Sequence, residues 1–382
     1  MSAEVDAVAS SVARKYLSLQ RAPNVGPVCV RHLIEHFGSV GAVLDASTAA
    51  LERIEGVGHA RAAAIRNAAR NEDVDREIDR AAKIGARIIC PEDDEYPRLL
   101  RHIADPPICL YIKGRLTSDD RLAIAIVGSR RCSRYGLEQA ERFGALLAQS
   151  GFTVISGMAR GADAAGHRGA LFAGGRTIAI QGCGHAHIYP PEHKDLAARI
   201  EQNGALISEL PIDTAPEGNN FPPRNRIIVG MSLGVLIIEA GKRSGALISA
   251  RLAADYDREA FALPGLLTNP YAFGTNSLIR DGSAKLVMCL DDILDELGQV
   301  GSLIRGESPP PAGDGEPQAT PRLDEAETAI LRHIGHEPTP LETICDESGL
   351  SPAAVASALT KLQMKSLIVQ LPGNVFKRRP KG

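Results

Sequence analysis

The 382-residue chain has no tryptophan, and aromatic side chains make up only 4% of it. That weakens any reading in which many unpaired bases are stacked on rings. No apolar run approaches the roughly 20 residues that cross a bilayer, and the first residues are acidic and alanine-rich, with no basic stretch leading into an apolar one. No membrane span is expected, and the cytoplasm is the expected compartment. Charge of one sign is lacking too: 43 Lys and Arg face 46 Asp and Glu, a formal net charge of -3. The chain is no polycation, so any grip on nucleic acid must come from cations placed locally. The seven cysteines (Cys29, Cys90, Cys109, Cys132, Cys183, Cys289, Cys345) are scattered, odd in number and free of any C-x-x-C pair. They read as reduced thiols rather than a disulfide framework.

What remains is a globular composition, 44% hydrophobic and 23% charged, on a chain long enough for two or three domains. Residues 1–84 read as an all-α module, with apolar positions at helical spacing over Val28–Phe37, Ala49–Ile54 and His59–Ala69. Two of its turns, Asn24-Val25-Gly26-Pro27 and Glu55-Gly56-Val57-Gly58, have the form of tandem helix-hairpin-helix (SAM-like) units, in which glycine lets a phosphate approach a helix N-terminus. Basic and acidic residues balance here, which favours plain glycine-capped turns.

From residue 85 to about 300 the pattern changes. Short β-branched runs (Ala123–Val127, Thr153–Ser156, Thr177–Gln181, Ala205–Ser208, Gly234–Ile238, Ala260–Leu263) alternate with helical segments (Leu137–Ala148, Ala162–Phe172, Glu192–Gln202, Ala246–Tyr256). Continuous apolar strands between helices predict an α/β fold with a doubly wound, mainly parallel sheet. Residues 301–321, rich in proline and glycine, read as a linker. Residues 322–382 predict three helices, Glu325–Ile334, Leu341–Glu347 and Pro352–Lys365, then Ile368–Leu371, a Pro372-Gly373-Asn374 turn and Val375-Phe376. That succession suggests a winged-helix-like domain, and its near-balanced charge leaves DNA contact and protein contact equally open.

Ligands of open α/β sheets sit beyond the C-terminal ends of the strands, so the loops there carry the information. Four of them repeat one composition: Gly128-Ser129-Arg130-Arg131; Ser156-Gly157-Met158-Ala159-Arg160-Gly161-Ala162-Asp163; Phe221-Pro222-Pro223-Arg224-Asn225-Arg226; and Glu239-Ala240-Gly241-Lys242-Arg243-Ser244-Gly245. Glycines that admit close backbone approach, helix N-termini and cations together make an anion site, so a phosphate-bearing ligand is expected. Neither G-x-G-x-x-G nor G-x-x-x-x-G-K-[ST] occurs, which argues against dinucleotide cofactors and P-loop chemistry. No cofactor is expected.

Two other constellations carry less. Asp163 and His167, four apart at a helix start, could serve acid/base chemistry, but Asp163 is better read as tying up backbone donors and His167 as packing or meeting a phosphate. Cys183, His185, His187 and His193 have the composition of a metal site with irregular spacing; no metal site is expected from them.

At this point the chain resembles the DNA-processing protein A (DprA/Smf) family. The match lies in Gly128-Ser129-Arg130, Ser156-Gly157-x-Ala159-x-Gly161-x-Asp163 with His167, Tyr189-Pro190, Phe221-Pro222-x-Arg224-Asn225-Arg226, Ser244-Gly245-Ala246-Leu247 and Gly274-Thr275-Asn276, in order, over about residues 86–290. The resemblance implies a Rossmann-like domain that binds single-stranded DNA, loads the RecA recombinase in natural transformation, protects incoming strands and pairs into a homodimer through that domain. It implies a pocket of Arg130, Arg160, Arg224, Arg226 and Lys242 with backbone contacts from Gly128, Ser129, Gly157 and Gly161. Ser156, Asp163, His167, Asn225, Ser244 and Gly245 complete the candidate DNA/phosphate site, and no catalytic residue is expected.

Two other functions compete. A related group of Rossmann-like enzymes hydrolyses nucleoside monophosphates but carries P-G-G-x-G-T-x-x-E, where this chain has Glu239-Ala240-Gly241-Lys242-Arg243-Ser244-Gly245. A DNA-bound regulator acting through the terminal module, with the sheet as sensor, is the third class. Tyr189 and Phe221 are the aromatic candidates for stacking, and equally for packing.

Overall fold

The structure, a computed structural model, describes residues 8–68, 73–305, 325–335, 339–351, 354–355, 358–359, 361–362, 368–371 and 375–378. The chain divides into two units, residues 1–309 and 310–382. Among the described residues no helix is long and apolar enough to cross a membrane.

Among the described residues the first unit opens with the helices α1 (Ser11–Gln20), α2 (Pro27–Phe37), α3 (Val40–Asp45), α4 (Thr48–Leu51), α5 (His59–Ala68) and α6 (Asp73–Lys83). Serines cap three of them: Ser10, Ser39 and Ser47 each accept from the backbone amide three residues on. Helix α2 instead starts at Gly26 with Pro27 in its first turn and ends on Gly38 at φ 83°, the proline-start and glycine-stop asymmetry of helices. The core of this module is shared with the sheet beyond it. Leu17, Leu33 and Ile78 pack in one cluster with Ile88, Cys109 and Tyr111.

The sheet has nine strands: β1 (Arg87–Ile89), β2 (Leu110–Gly114), β3 (Ala123–Val127), β4 (Thr153–Ser156), β5 (Thr177–Ile180), β6 (Gly204–Ser208), β7 (Gly234–Ile237), β8 (Glu259–Ala262) and β9 (Lys285–Leu286). Their spatial order is β1-β2-β6-β5-β4-β3-β7-β8-β9. From β6 to β9 every pairing is parallel, as the buried, β-branched runs predict. The β1 and β2 pairings are antiparallel, an edge that the alternation of strands and helices does not predict. Helices α7 (Arg134–Gln149), α8 (Ala162–Phe172), α9 (Lys194–Asn203), α10 (Phe221–Gly230) and α11 (Ala246–Asp255) cover the two faces, followed by α12 (Phe273–Arg280), α13 (Leu290–Glu296) and α14 (Gln299–Ile304). Helix α14 runs past residue 301, so the expected linker starts later than its composition suggests; its remainder, 306–321, lies outside the described residues.

Strand β3 lies between β4 and β7, and the chain winds outward from it in both directions. This is the switch point of the sheet, where loops after neighbouring strands part and leave a crevice.

In the second unit α15 (Glu325–His333) and α16 (Leu341–Ser348) accompany a three-stranded antiparallel sheet of β10 (Thr339–Pro340), β11 (Ile368–Leu371) and β12 (Val375–Arg378). Ile330, Ile344, Leu359, Leu362 and Phe376 form its core. Residues 354–355, 358–359 and 361–362 are helical, within the third expected helix; the rest of that helix and the 372–374 turn lie outside the described residues.

Candidate nucleic-acid interface

Loops after β3 and β7 meet at the switch point. Ile238 donates to the Val127 carbonyl at 3.0 Å and Ser129 to the Glu239 carbonyl at 2.7 Å, so the two loops continue the parallel ladder past the strand ends. The loop after β4 presses against the first of them. Gly161 sits at φ 80°, and a Cβ there would overlap the Ser129 carbonyl, so only glycine allows this approach. Ala162, which opens α8, likewise leaves no room for a side chain at Gly128.

A buried carboxylate, Glu239, ties the loop after β7 to the start of α7. Glu239 is 2% exposed and accepts from the Ser133 amide at 2.8 Å, the Ser133 hydroxyl at 2.6 Å and Asn269 Nδ2 at 3.0 Å. The N-terminus of α7, an anion site by its dipole, is thereby filled by the protein itself.

Between the loops lies a cavity of about 420 Å³. Its walls include Val127, Phe221, Ile228, Ala246, Ile248 and Tyr271, and its rim carries Arg130, Arg131 and Arg243. Eight of the expected site residues line it: Gly128, Ser129 and Arg130 from the first loop, Asp163, then Arg224 and Asn225, then Ser244 and Gly245.

Arg224 is 5% exposed and is spent inside the protein. Its Nη1 donates to the Gly157 carbonyl at 2.7 Å and to the Ile180 carbonyl. Burial pulls its pKa down to about 10, with Asp163 opposing that shift and Arg130 adding to it, so it stays charged at neutral pH. Asp163 Oδ2 accepts from the amides of Gly157 at 3.1 Å and Ala159 at 3.3 Å. Burial raises the Asp163 carboxyl above its ordinary value, opposed by Arg224 and by those amides. Together the two residues fix the 157–163 turn from opposite sides, with Asp163 tying up backbone donors.

The remaining expected residues do not line the cavity. The segment Phe221–Arg226 is the start of helix α10 rather than a loop, with Pro222 and Pro223 in its first turn. Two residues along a helix turn through roughly 200°, so Arg226 faces away from Arg224. It is 8% exposed and pairs with Asp105 at 3.2 Å and with Glu209. Arg160 is exposed and paired with Glu192. Lys242 points outward over the Phe273 ring, 5.7 Å from its centre, while its neighbour Arg243 takes the rim position. His167 is fully buried at 0% exposure, with Nδ1 2.6 Å from Thr177 Oγ1, and offers a phosphate no surface. Ser156 donates to the Ile126 carbonyl at 2.6 Å within the core. Gly157 and Gly161 shape the turn without lining the cavity.

Unlike Arg160 and Arg226, Arg130, Arg131 and Arg243 have no carboxylate partner among the described residues. The Arg130 guanidinium lies 5.2 Å from the centre of the Phe221 ring, which Tyr189 backs at 5.3 Å. Phe221 lines the cavity with the Arg130 and Arg224 guanidinium groups over its ring and the Tyr189 ring tilted 46° to it. Sequence reasoning missed Ile248, Ser249 and Tyr271, which no loop motif marks because they enter from a helix face and a distant turn.

The histidine and cysteine cluster disperses. His185 is held between Gln181 Oε1 at 2.6 Å and the Tyr111 carbonyl at 2.9 Å, His193 lies against the Met158 carbonyl, and Cys183 approaches the His187 carbonyl. Among the described residues no three metal-binding side chains come together. In the helical module, Arg61 donates to the Gly56 carbonyl across the second hairpin, closing it with an internal partner.

Three families of known domains match in chain order: a SAM-like helix-hairpin-helix tandem over residues 16–71, the DNA recombination-mediator protein A domain over 87–298, and a DprA winged-helix domain over 314–374. Protein Smf of Synechocystis sp. is 33% identical over 399 residues, spanning 97% of this chain and 100% of that protein. Protein Smf of Escherichia coli is 39% identical over 293 residues, 76% of this chain and 77% of its own. Among solved structures, DNA processing protein A of Streptococcus pneumoniae aligns with a TM-score of 0.65 at 31% identity, covering 74% of this chain and 97% of that one. DNA processing protein A of Helicobacter pylori, solved for its single-stranded DNA binding mode, aligns at 0.50 and 31% identity, covering 56% of this chain and 95% of its own. The sheet with its switch-point crevice, flanked in sequence by a helix-hairpin-helix module and a winged helix, thus places this chain in the DNA-processing protein A (DprA/Smf) family.

Proposed function

We propose that this chain is a DNA-processing protein that binds single-stranded DNA at the switch-point crevice. The observation that carries the reading is the set of three exposed guanidinium groups, Arg130, Arg131 and Arg243, that have no carboxylate partner among the described residues and line a cavity with apolar walls. A single strand offers both complements: phosphates for the rim and an unpaired base for the Phe221 face. A duplex keeps its bases stacked inside and meets only half of the site. Gly128, Ser129, Ser244 and Gly245 line the same cavity and supply close backbone approach, while Asp163 and Arg224 hold its shape. The relative from Helicobacter pylori, described by its single-stranded DNA binding mode, supports the assignment.

The finer reading, that the bound strand is protected and passed to the RecA recombinase during transformation by a homodimer joined through the Rossmann-like domain in the cytoplasm, rests on family membership. The chain acts as a binder rather than an enzyme. Glu239 and Asp163 accept internal hydrogen bonds and His167 is fully buried, which weighs against the nucleoside-monophosphate hydrolase reading. Gel-shift titration of oligo-dT against duplex DNA of equal length tests the reading. Preference for the single strand, surviving removal of residues 301–382, is the expected result. Equal affinity for both forms, or loss of binding with the terminal unit, would favour the DNA-bound regulator instead.

A further inference from the structure

The helical module grips the loop after β6 at three points. Gln20, the last residue of α1, donates from Nε2 to the Glu209 carbonyl at 2.6 Å. Glu77 on α6 is a buried carboxylate that accepts from the Ile212 amide at 2.7 Å, and Arg80 on the same helix pairs with Asp213 at 3.1 Å. Ile212 itself packs into the core of the module. The segment 209–213 is thereby fastened to two helices of the module.

The same segment reaches a wall of the crevice. The Glu209 carboxylate pairs with Arg226 of α10, and Arg226 Nε lies 3.2 Å from Asp105, which accepts from the Tyr256 hydroxyl at 2.7 Å just beyond α11. Burial raises the Glu209 carboxyl above its ordinary value and Arg226 opposes that shift, so the two charges depend on each other's position. Ion pairs held out of water resist displacement, because moving one partner leaves the other uncompensated. Helix α10 in turn supplies Phe221, Arg224, Asn225 and Ile228 to the cavity. Gln20, Glu77, Arg80, Glu209 and Arg226 do not line it.

We infer that the helical module positions α10, and with it one wall of the crevice, through the Glu209–Arg226 pair. Glu209 and Arg226 are positioning residues: they act on a bound strand through α10 without touching it. What the wall grips rests on the single-strand reading above. The module gains a part in that grip that does not require its hairpins to meet DNA.

The test compares full-length wild type, Gln20→Ala, Glu209→Gln and the double variant. Fluorescence anisotropy with oligo-dT is measured over a salt series, and hydrogen–deuterium exchange across residues 221–230 is measured without DNA. Exchange in α10 is expected to rise in both single variants. Affinity is expected to fall about threefold in Gln20→Ala and about fivefold in Glu209→Gln, with the wild-type salt slope, because no phosphate contact is lost. Cutting the relay at Glu209 leaves Gln20 nothing to act through, so the double variant is expected to match Glu209→Gln. Gln20→Ala removes a half-buried, uncharged side chain, so it keeps the test valid if Glu209→Gln folds poorly. A merely structural role would lower the melting temperature and leave the affinity of the folded protein unchanged. Unchanged α10 exchange, wild-type affinity in the folded variants, a flattened salt slope or additive losses in the double variant each overturn the inference while leaving the single-strand reading intact. Failure of wild-type protein to bind oligo-dT contradicts that reading instead, and the exchange measurement still decides whether the module positions α10.

Discussion

Arg224 and Gly157 are locked together: the guanidinium donates to the glycine carbonyl at 2.7 Å, and a Cβ on Gly157 would overlap the guanidinium itself. The most buried arginine of the candidate site is thus part of its frame, and the arginines that remain free belong to the rim.

Gly157→Ala is expected to displace Arg224 and loosen the turn carrying Asp163. Overpacking of this kind costs about 1–3 kcal/mol. Thermal melting by circular dichroism measures it, and oligo-dT affinity is expected to fall in the same variant.

Arg224→Ala and Arg130→Ala are expected to separate frame from grip. The first leaves Asp163 buried without its counter-charge and should destabilise the fold by about 3–5 kcal/mol. The second removes an exposed group with no ion pair, and its melting temperature should stay within a degree or two of wild type, about what a surface change under 0.5 kcal/mol produces. Its oligo-dT affinity should nevertheless drop. Urea unfolding and anisotropy on the same samples decide the matter.

Arg226→Met is expected to behave like Arg224→Ala in stability and unlike Arg130→Ala in salt response. Its partners Asp105 and Glu209 lie on the far side of α10 from the cavity, and Glu209 would be left in a site whose burial already raises its pKa. Loss of about 3 kcal/mol in urea unfolding is expected.

Acid should weaken the first unit before its carboxylates titrate. Burial holds the pKa of His167 down to about 3 and that of His185 down to about 4, against an ordinary value of 6.5. Below pH 6.5 the unfolded chain takes up these protons and the folded chain does not. Their stabilising contribution is therefore complete above pH 6.5 and is lost as pH falls toward 4 and then 3, at about 1.4 kcal/mol per pH unit for each histidine. Asp163, with its raised pKa, acts in the opposite direction near its own titration. Urea unfolding at pH 7, 6 and 5 should show the slope, and His167→Gln should reduce it by about one proton.

Much of this architecture was legible because fully buried parallel strands announce themselves. Ala123–Val127 and Thr153–Ser156 are unbroken apolar or β-branched runs, and the structure places strands on those same residues. The β1 and β2 edge was not legible, because Arg87–Ile89 is three residues long and its pairing depends on partners 21 to 25 positions away. Around the site, composition identified the right loops and could not orient side chains. Pro222-Pro223 reads as loop, yet two prolines suit the first turn of a helix, and that helix turns Arg226 away from Arg224. Lys242 and Arg243 are adjacent on an irregular loop, and only coordinates show which one reaches the rim. Ser249 gives no signal in a sequence at all, being a small hydroxyl in an otherwise ordinary amphipathic helix.

The most direct measurement is the dependence of oligo-dT affinity on salt, plotted as log K against log salt concentration for wild type, Arg130→Ala and Arg243→Ala. If these guanidinium groups neutralise phosphates, each substitution should flatten the slope by about 0.7, the single-strand value for one phosphate contact. Slopes identical to wild type in both variants would show that the rim does not touch the strand.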